Sequence, residues 1–340
     1  MAAQLGEFER IDKYLRPLAA DVPGALNLLD DAGIVDVPAD RRLVVTTDTM
    51  VEGVHWLAGT DPGWIAAKLL RVNLSDLAAM GAAPFGYTLN LALPAAGEAG
   101  DRASAADAWL APFCEALGRE QTLWEIGLIG GDSVRTPGPA TLTATMFGLV
   151  ERGHAHLRLG ARPGDTIWVS GTPGDGALGL AAAKGEFDRL EGVSDEDRAH
   201  LAGRFHLPTP RLALGRALIG VASAVIDLSD GLPGDLGHIC RASRVAARVE
   251  ADRLPLSDAA RAVVAADPKR RATALSGGDD YELLFTAGSD AEAAVEVAAD
   301  RAGVGVAAIG TIVDPTEGPS VAILDGDGRS IPGLAGWVHA

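Results

Sequence analysis

Cysteine is almost absent from this 340-residue chain: Cys114 and Cys240 lie far apart and in no paired motif. That excludes a disulfide framework and the usual zinc spacings. Both fall in helical patterns, where a free cysteine behaves as a small buried hydrophobe. Basic residues are scarce as well. Against 46 Asp and Glu stand 29 Lys and Arg, a formal net charge of −17, so no basic surface is expected to neutralise a nucleic-acid backbone. No apolar run reaches the ~20 residues that span a bilayer. Met1 to Asp12 carries acids and lacks the apolar stretch of a secretion signal, so a cytoplasmic protein with no membrane partner is expected. The chain has neither the Gly-x-x-x-x-Gly-Lys-Ser/Thr phosphate loop nor the protein-kinase motif set. No Ser–His–acid or Cys–His arrangement stands out.

What is present is a globular composition, 48% hydrophobic, on a chain long enough for two domains with their own cores. β-branched and alternating runs predict strands at Leu43–Asp48, with Val51–His55 continuing the first, and at Tyr87–Leu93, Trp124–Ile129 and Thr141–Val150. Helical spacing predicts Glu7–Leu18, a helix from Asp61 or Pro62 to Met80, and Asp101–Glu120. The polar, arginine-bearing stretch Glu151–Pro163 marks the boundary, giving domains 1–150 and 151–340. Beyond it, strands are predicted at Asp165–Gly171, Ala222–Ile226, Val245–Glu250, Ala272–Ser276, Glu282–Thr286, Val306–Val313 and Val321–Leu324. Helices fall at Ala177–Lys184, Arg211–Ile219, from Pro233, and at Ser257–Ala266 and Ala291–Ala302. The alternation is irregular, which favours an α+β fold over a doubly wound sheet.

Acids, hydroxyls and glycines cluster where apolar segments end. The richest cluster is Asp227-Leu228-Ser229-Asp230-Gly231-Leu232, after the run Ala222–Ile226. Two readings fit it: a helix cap on Ser229 or Asp230, or a strand-end site where carboxylates hold Mg²⁺ against phosphate oxygens. Repetition favours the second, because Asp30-Asp31, Thr46-Thr47-Asp48-Thr49, Asn73-Leu74-Ser75-Asp76, Gly130-Gly131-Asp132-Ser133 and Gly277-Gly278-Asp279-Asp280 share the pattern. Many carboxylates, few bases and several glycine turns suit phosphoryl transfer run by metal ions and positioning. Glycines at 130 and 131 would let backbone amides approach a phosphate closely. The turn Thr172–Gly176 resembles an anion-binding helix start but is equally an ordinary tight turn.

Five segments carry a resemblance: Thr46–His55, Val72–Ala82, Gly130–Asp132, Ile226–Leu232 and Leu275–Leu283. In this order they closely resemble thiamine-monophosphate kinases of the aminoimidazole ribonucleotide synthetase-like superfamily. The resemblance implies a two-domain fold, an N-terminal α/β domain forming a homodimer sheet and a C-terminal α+β domain completing the ATP and substrate site. It implies direct in-line transfer from ATP to thiamine monophosphate with several Mg²⁺ ions. By position, Asp31, Thr46, Thr47, Asp48, Asp76, Asp132, Asp227 and Asp230 look like metal ligands, with Asp132, Asp227 and Asp230 nearest the chemistry. Gly131, Asp132, Arg158 and Ser229 look like ATP contacts, and His55, Asp279 and Trp337 like thiamine-side contacts. The chain departs from the usual pattern at Asn27-Leu28-Leu29, where Gly-x-Gly is common, and at Asp279, where Glu is common. The rival expectations are a Mg-ATP-binding sensor without turnover, or another synthetase of the same superfamily.

Overall fold

The computed structural model describes residues 7–94, 102–317 and 320–334. The chain divides into two units, Met1–Leu77 with Ala83–Arg152, and Ala78–Ala82 with Gly153–Ala340. Together they give the α+β architecture expected. No helix among the described residues is long and apolar enough to cross a membrane.

The first unit is built on β1 (Arg41–Val51), β2 (Ala83–Pro94), β3 (Gly127–Thr136) and β4 (Thr141–Glu151). Their order is β1-β4-β2-β3, with β2 and β3 parallel and the other neighbours antiparallel. Side chains alternate across a strand. Thr46, Asp48 and Met50 of β1 therefore share a face with their β4 partners Met146, Ala144 and Leu142, and with Tyr87, Leu89 and Leu91 of β2. This face meets the helices α3 (Pro62–Ala79) and α4 (Arg102–Trp124): Thr46 bonds Asp76, and Gln121 donates to the Tyr87 hydroxyl at 3.1 Å. Glu120 clamps the two helices, taking Arg71 Nε at 2.9 Å and Nη2 at 2.8 Å. The opposite face carries Leu43, Val45, Thr47, Thr49, Phe147 and Leu149; Leu43 and Val45 are exposed. A helical lead-in, α1 (Glu7–Arg10), a wide turn Ile11–Leu15 and α2 (Arg16–Ala19), is tied to α4 by Arg10–Asp107 at 2.9 Å.

The second unit holds six strands, β5 (Thr166–Ser170), β6 (Ala224–Asp227), β7 (Ala246–Glu250), β8 (Leu283–Ala287), β9 (Val306–Val313) and β10 (Val321–Leu324). The order is β10-β7-β9-β5-β8-β6, and only β10–β7 is parallel. Around the sheet lie α5 (Asp175–Ala183), α6 (Asp195–His206), α7 (Leu212–Ala217), α8 (Leu232–Ser243), α9 (Asp258–Ala266), α10 (Arg270–Ser276) and α11 (Glu292–Ala302). Ile226, Leu236, Ile239, Val249, Leu284 and Ile309 lie in the main core; Leu178, Phe187, Leu201 and Val263 form a second cluster. Cys114 and Cys240 are both buried, and burial pushes their thiols up to about 12 and about 11.

Three local expectations are corrected. Ala272–Ser276 is helical, because Arg, Ala and Leu are good helix formers and Ala274 and Leu275 point into different buried clusters. Strand β3 does not stop at Ile129 but continues through Gly130-Gly131-Asp132 beside β2. Strand β1 ends at Val51, and Gly53, with φ +80°, turns the chain toward His55.

Candidate active site

In the first unit, α3 brings Asp76 to the buried face of β1. The Thr46 hydroxyl donates to Asp76, and Asp48 lies in the field of the same carboxylate. Burial first, and then the Asp76 charge, push Asp48 up to about 7. Thr46, Asp48 and Asp76 thus converge. Thr47 does not join them: alternation turns it to the opposite face, where its hydroxyl donates to the Ala144 carbonyl at 3.2 Å and accepts from Thr145 at 3.1 Å. Asn73, also on α3, is fully buried and donates to the Leu69 carbonyl at 2.9 Å.

A cavity of about 430 Å³ opens in the same unit. Asp30, Asp31, Gly131 and Asp132 line it together with Ile11, Leu15 and Leu28. Such a mixture suits a flat apolar group attached to an anion held through cations. The two glycines divide their work. A Cβ on Gly131 would sit 1.9 Å from the Leu89 carbonyl oxygen, so that glycine serves the close approach of β2 and β3. A Cβ on Gly130 would meet nothing within 4 Å. Before the acids, Leu26, Asn27 and Leu28 all hold left-handed backbone, with φ of 51°, 55° and 56°. Asn tolerates that region; for the two leucines it is strained.

In the second unit, two motif loops are stitched together. Asp227 ends β6, buried, and Ser229 and Asp230 follow it. The Asp279 amide donates to the Ser229 carbonyl at 2.9 Å, and the Tyr281 amide to Leu228 at 2.8 Å. Gly278 permits this approach, since a Cβ there would lie 2.1 Å from the Ser229 carbonyl oxygen. Asp279 and Tyr281 are left-handed, φ 69° and 54°, and the Tyr281 hydroxyl donates to Asp279 at 3.3 Å. Arg158 is exposed, its carbonyl accepting from the Ser243 hydroxyl at 3.1 Å.

Three buried acids hold these loops: Asp280, named in the Gly277–Asp280 cluster, and Asp235 and Glu282, to which sequence reasoning gave no role. Asp235, in the first turn of α8, accepts at one oxygen from the amides of Ser229, Asp230 and Gly231, each at 3.1 Å. Burial raises it to about 7. Asp280 accepts from the amides of Gly174 and Gly176 at 2.7 and 2.8 Å, and burial lifts it well above the usual carboxylate range. The Thr172–Gly176 turn is therefore filled by an internal carboxylate. Glu282, fully buried, takes Ser170, Arg204 and Arg211. The spacing of Asp235 after the motif was the one signal available; Glu282 had none, because its arginines lie over seventy residues away.

Two residues expected on the substrate side remain. His55 Nδ1 accepts from the Val51 amide at 3.0 Å, which leaves the proton of the neutral ring on Nε2. Trp337 lies outside the described residues. Among the described residues no three His, Cys, Asp or Glu side chains gather closely enough to hold an ion alone. Mg²⁺ is usually held by one or two carboxylates and completed by water and substrate phosphates, and Asp48 and Asp76 are the carboxylates in the first unit that could supply such a pair.

Residues 29–150 match the family described as AIR synthase related protein, N-terminal domain, and residues 162–321 its C-terminal domain. Thiamine-monophosphate kinase of Caulobacter vibrioides is 42% identical over 342 residues, covering 99% of this chain and 92% of that protein. The crystal structure of thiamine-monophosphate kinase from Stenotrophomonas maltophilia superposes with a TM-score of 0.81 at 41% identity, covering 96% of this chain and 98% of that one. AaThiL, solved in complex with AMPPCP and TMP, gives a TM-score of 0.73 at 28% identity, covering 100% and 99%.

Proposed function

The chain belongs to the thiamine-monophosphate kinases of the AIR synthase related family, and from that premise we propose how its residues pass the γ-phosphate of ATP to thiamine monophosphate, giving thiamine diphosphate and ADP. The observation that carries the assignment of residues is the meeting of Asp48 and Asp76. Two carboxylates on a half-buried face repel each other, a cost that a divalent cation between them removes.

We assign residues 1–150 the cation, nucleotide and self-association contacts. Asp31 and Asp132 on the cavity wall, with Thr46, Asp48 and Asp76, are the oxygen donors; Gly131 and Asp132 face the nucleotide. Bound Mg²⁺ would supply the charge that neutralises the phosphates and the one developing in transfer. To residues 151–340 we assign Asp227 and Asp230 as further cation ligands, Arg158 and the Ser229 hydroxyl toward ATP, and Asp279 and Trp337 toward thiamine monophosphate; to His55, in residues 1–150, we assign a thiamine contact. Asp132, Asp227 and Asp230 act nearest the transferred group. Thr47 has no place in this set, since its side chain is engaged on the opposite face.

No general base is required. The acceptor is a phosphate whose second pKa is about 6, so it is already anionic at neutral pH. Catalysis then rests on alignment and charge stabilisation. We also propose a homodimer. Leu43 and Val45 expose apolar surface on a sheet face shared with Phe147 and Leu149, the kind of patch that a second copy covers.

Incubation with γ-labelled ATP tests direct transfer. The label is expected in the terminal phosphate of thiamine diphosphate and never on the protein; a labelled protein that chases into product overturns it.

A further inference from the structure

A strand-end loop offers its surroundings either amide hydrogens or side-chain oxygens, and which of the two decides whether it attracts anions or cations. In the loop after β6, three successive amides, those of Ser229, Asp230 and Gly231, all point inward onto Oδ2 of Asp235 at 3.1 Å. Asp235 is 2% exposed and sits in the first turn of α8, after Gly231, whose φ of 103° brings the chain round. A Cβ on Gly231 would meet the Ser276 carbonyl oxygen at 2.3 Å, so the end of α10 packs against the turn from outside. The concave nest that could have cradled a phosphate is thus occupied by the protein's own carboxylate.

We propose that Asp235 is a positioning residue: by filling the amide nest of residues 229–231 it removes an anion site and fixes the backbone that carries Asp230, next to Asp227 at the end of β6, so that the two can take a divalent cation. The inference rests on the reading of Asp227 and Asp230 as cation ligands. Three consequences follow from it. The loop binds cations before nucleotide is present, its amides make no phosphate contact, and Ser229 can reach ATP only through its hydroxyl. Asp235 itself touches neither the cation nor the substrate.

The test compares the full chain with Asp235→Ala, Asp235→Asn and Asp230→Asn, using Mn²⁺ alone as the probe in a paramagnetic-resonance titration, followed by steady-state kinetics. Losing a partner that orients metal ligands typically costs about tenfold to a hundredfold in metal affinity or activity. Asp235→Ala is expected to weaken Mn²⁺ binding by about that factor and to lower kcat while KM for thiamine monophosphate stays put. Asp235→Asn keeps the volume and one accepting oxygen, so it should fold even where the alanine variant does not, and recover part of the Mn²⁺ affinity. Hydrogen exchange at residues 229–231 should quicken in both. Wild-type Mn²⁺ affinity and kcat in a folded Asp235 variant, or a loss of thermal stability alone, overturns the inference while leaving the function intact. Unchanged Mn²⁺ binding in Asp230→Asn overturns the ligand reading and this inference with it.

Discussion

The guanidinium of Arg211 grips the fully buried carboxylate of Glu282 with two parallel bonds, Nε to Oε2 at 2.6 Å and Nη2 to Oε1 at 2.5 Å. Arg204 adds a third contact at 2.9 Å, and the Ser170 hydroxyl a fourth at 2.6 Å. The network fastens α6 and the start of α7 to the strand that follows the Asp279 loop. Glu282→Gln leaves two guanidiniums facing a neutral amide. Breaking such a buried pair costs about 3–5 kcal/mol. Urea unfolding should show a loss of that order, and a loss below about 1 kcal/mol would mean that the pair is incidental.

The two neighbouring glycines of β3 should respond differently. Gly131→Ala forces a methyl group into the β2 backbone, so the edge of the sheet must shift; overpacking of this kind costs about 1–3 kcal/mol or more. Gly130→Ala meets no atom and should melt within a degree or two of wild type. Its methyl group stands at the cavity that we assign to the nucleotide, so ATP affinity should fall severalfold in calorimetry. Equal melting temperatures for the two variants would contradict the close approach, and unchanged ATP affinity in Gly130→Ala would contradict the cavity assignment.

Much of this was legible in the sequence, and the failures have physical causes. The α+β class followed from irregular alternation, whereas Thr46, Thr47 and Asp48 were picked out together by their position in the resemblance; the period of two along β1 puts Thr46 and Asp48 on one face. The same period places Thr47 on the other face, so there the strand geometry outweighs family position. Ala272–Ser276 was misread because a short apolar run has no periodicity, and only tertiary packing decides it. Asp235 and Glu282 look like surface acids in sequence, and Asp280 like one of a cation-binding cluster; nothing local says that their partners are backbone amides or arginines from distant segments. In the left-handed run Leu26–Leu28 only Asn27 falls where glycine is usual, so the two strained leucines had no signal in the sequence.

His156 is one source of pH dependence in the second unit. It is buried, its Nε2 lies 2.8 Å from the Gly215 carbonyl oxygen, and burial holds it below its ordinary value near 6.5. The unfolded chain therefore takes up a proton that the folded one refuses. Its contribution is fully present above about 6.5 and is lost as pH falls toward the lower folded value. His156→Gln, which can still donate to Gly215, should flatten the fall in urea midpoint between pH 7 and 5. Parallel pH profiles for the two proteins would contradict this.

Asp48 has the opposite sign. Its folded value of about 7 lies above that of the unfolded chain, so the cation-free protein gains stability from it at low pH and loses it as pH rises through 7. A divalent cation reverses that loss by pairing with the carboxylate. Asp48→Asn should therefore match or exceed the wild-type melting temperature in EDTA at pH 8, yet gain far less on adding Mg²⁺. Activity should drop by a hundredfold or more. An undiminished Mg²⁺-induced rise in the variant would remove Asp48 from the cation site.

Chromatography of thiamine diphosphate and ADP after incubation with thiamine monophosphate, ATP and Mg²⁺, with an EDTA control, tests the central claim most directly. The expected result is one ADP for each thiamine diphosphate, abolished by EDTA. ADP without thiamine diphosphate, or ATP binding with no turnover, would contradict it.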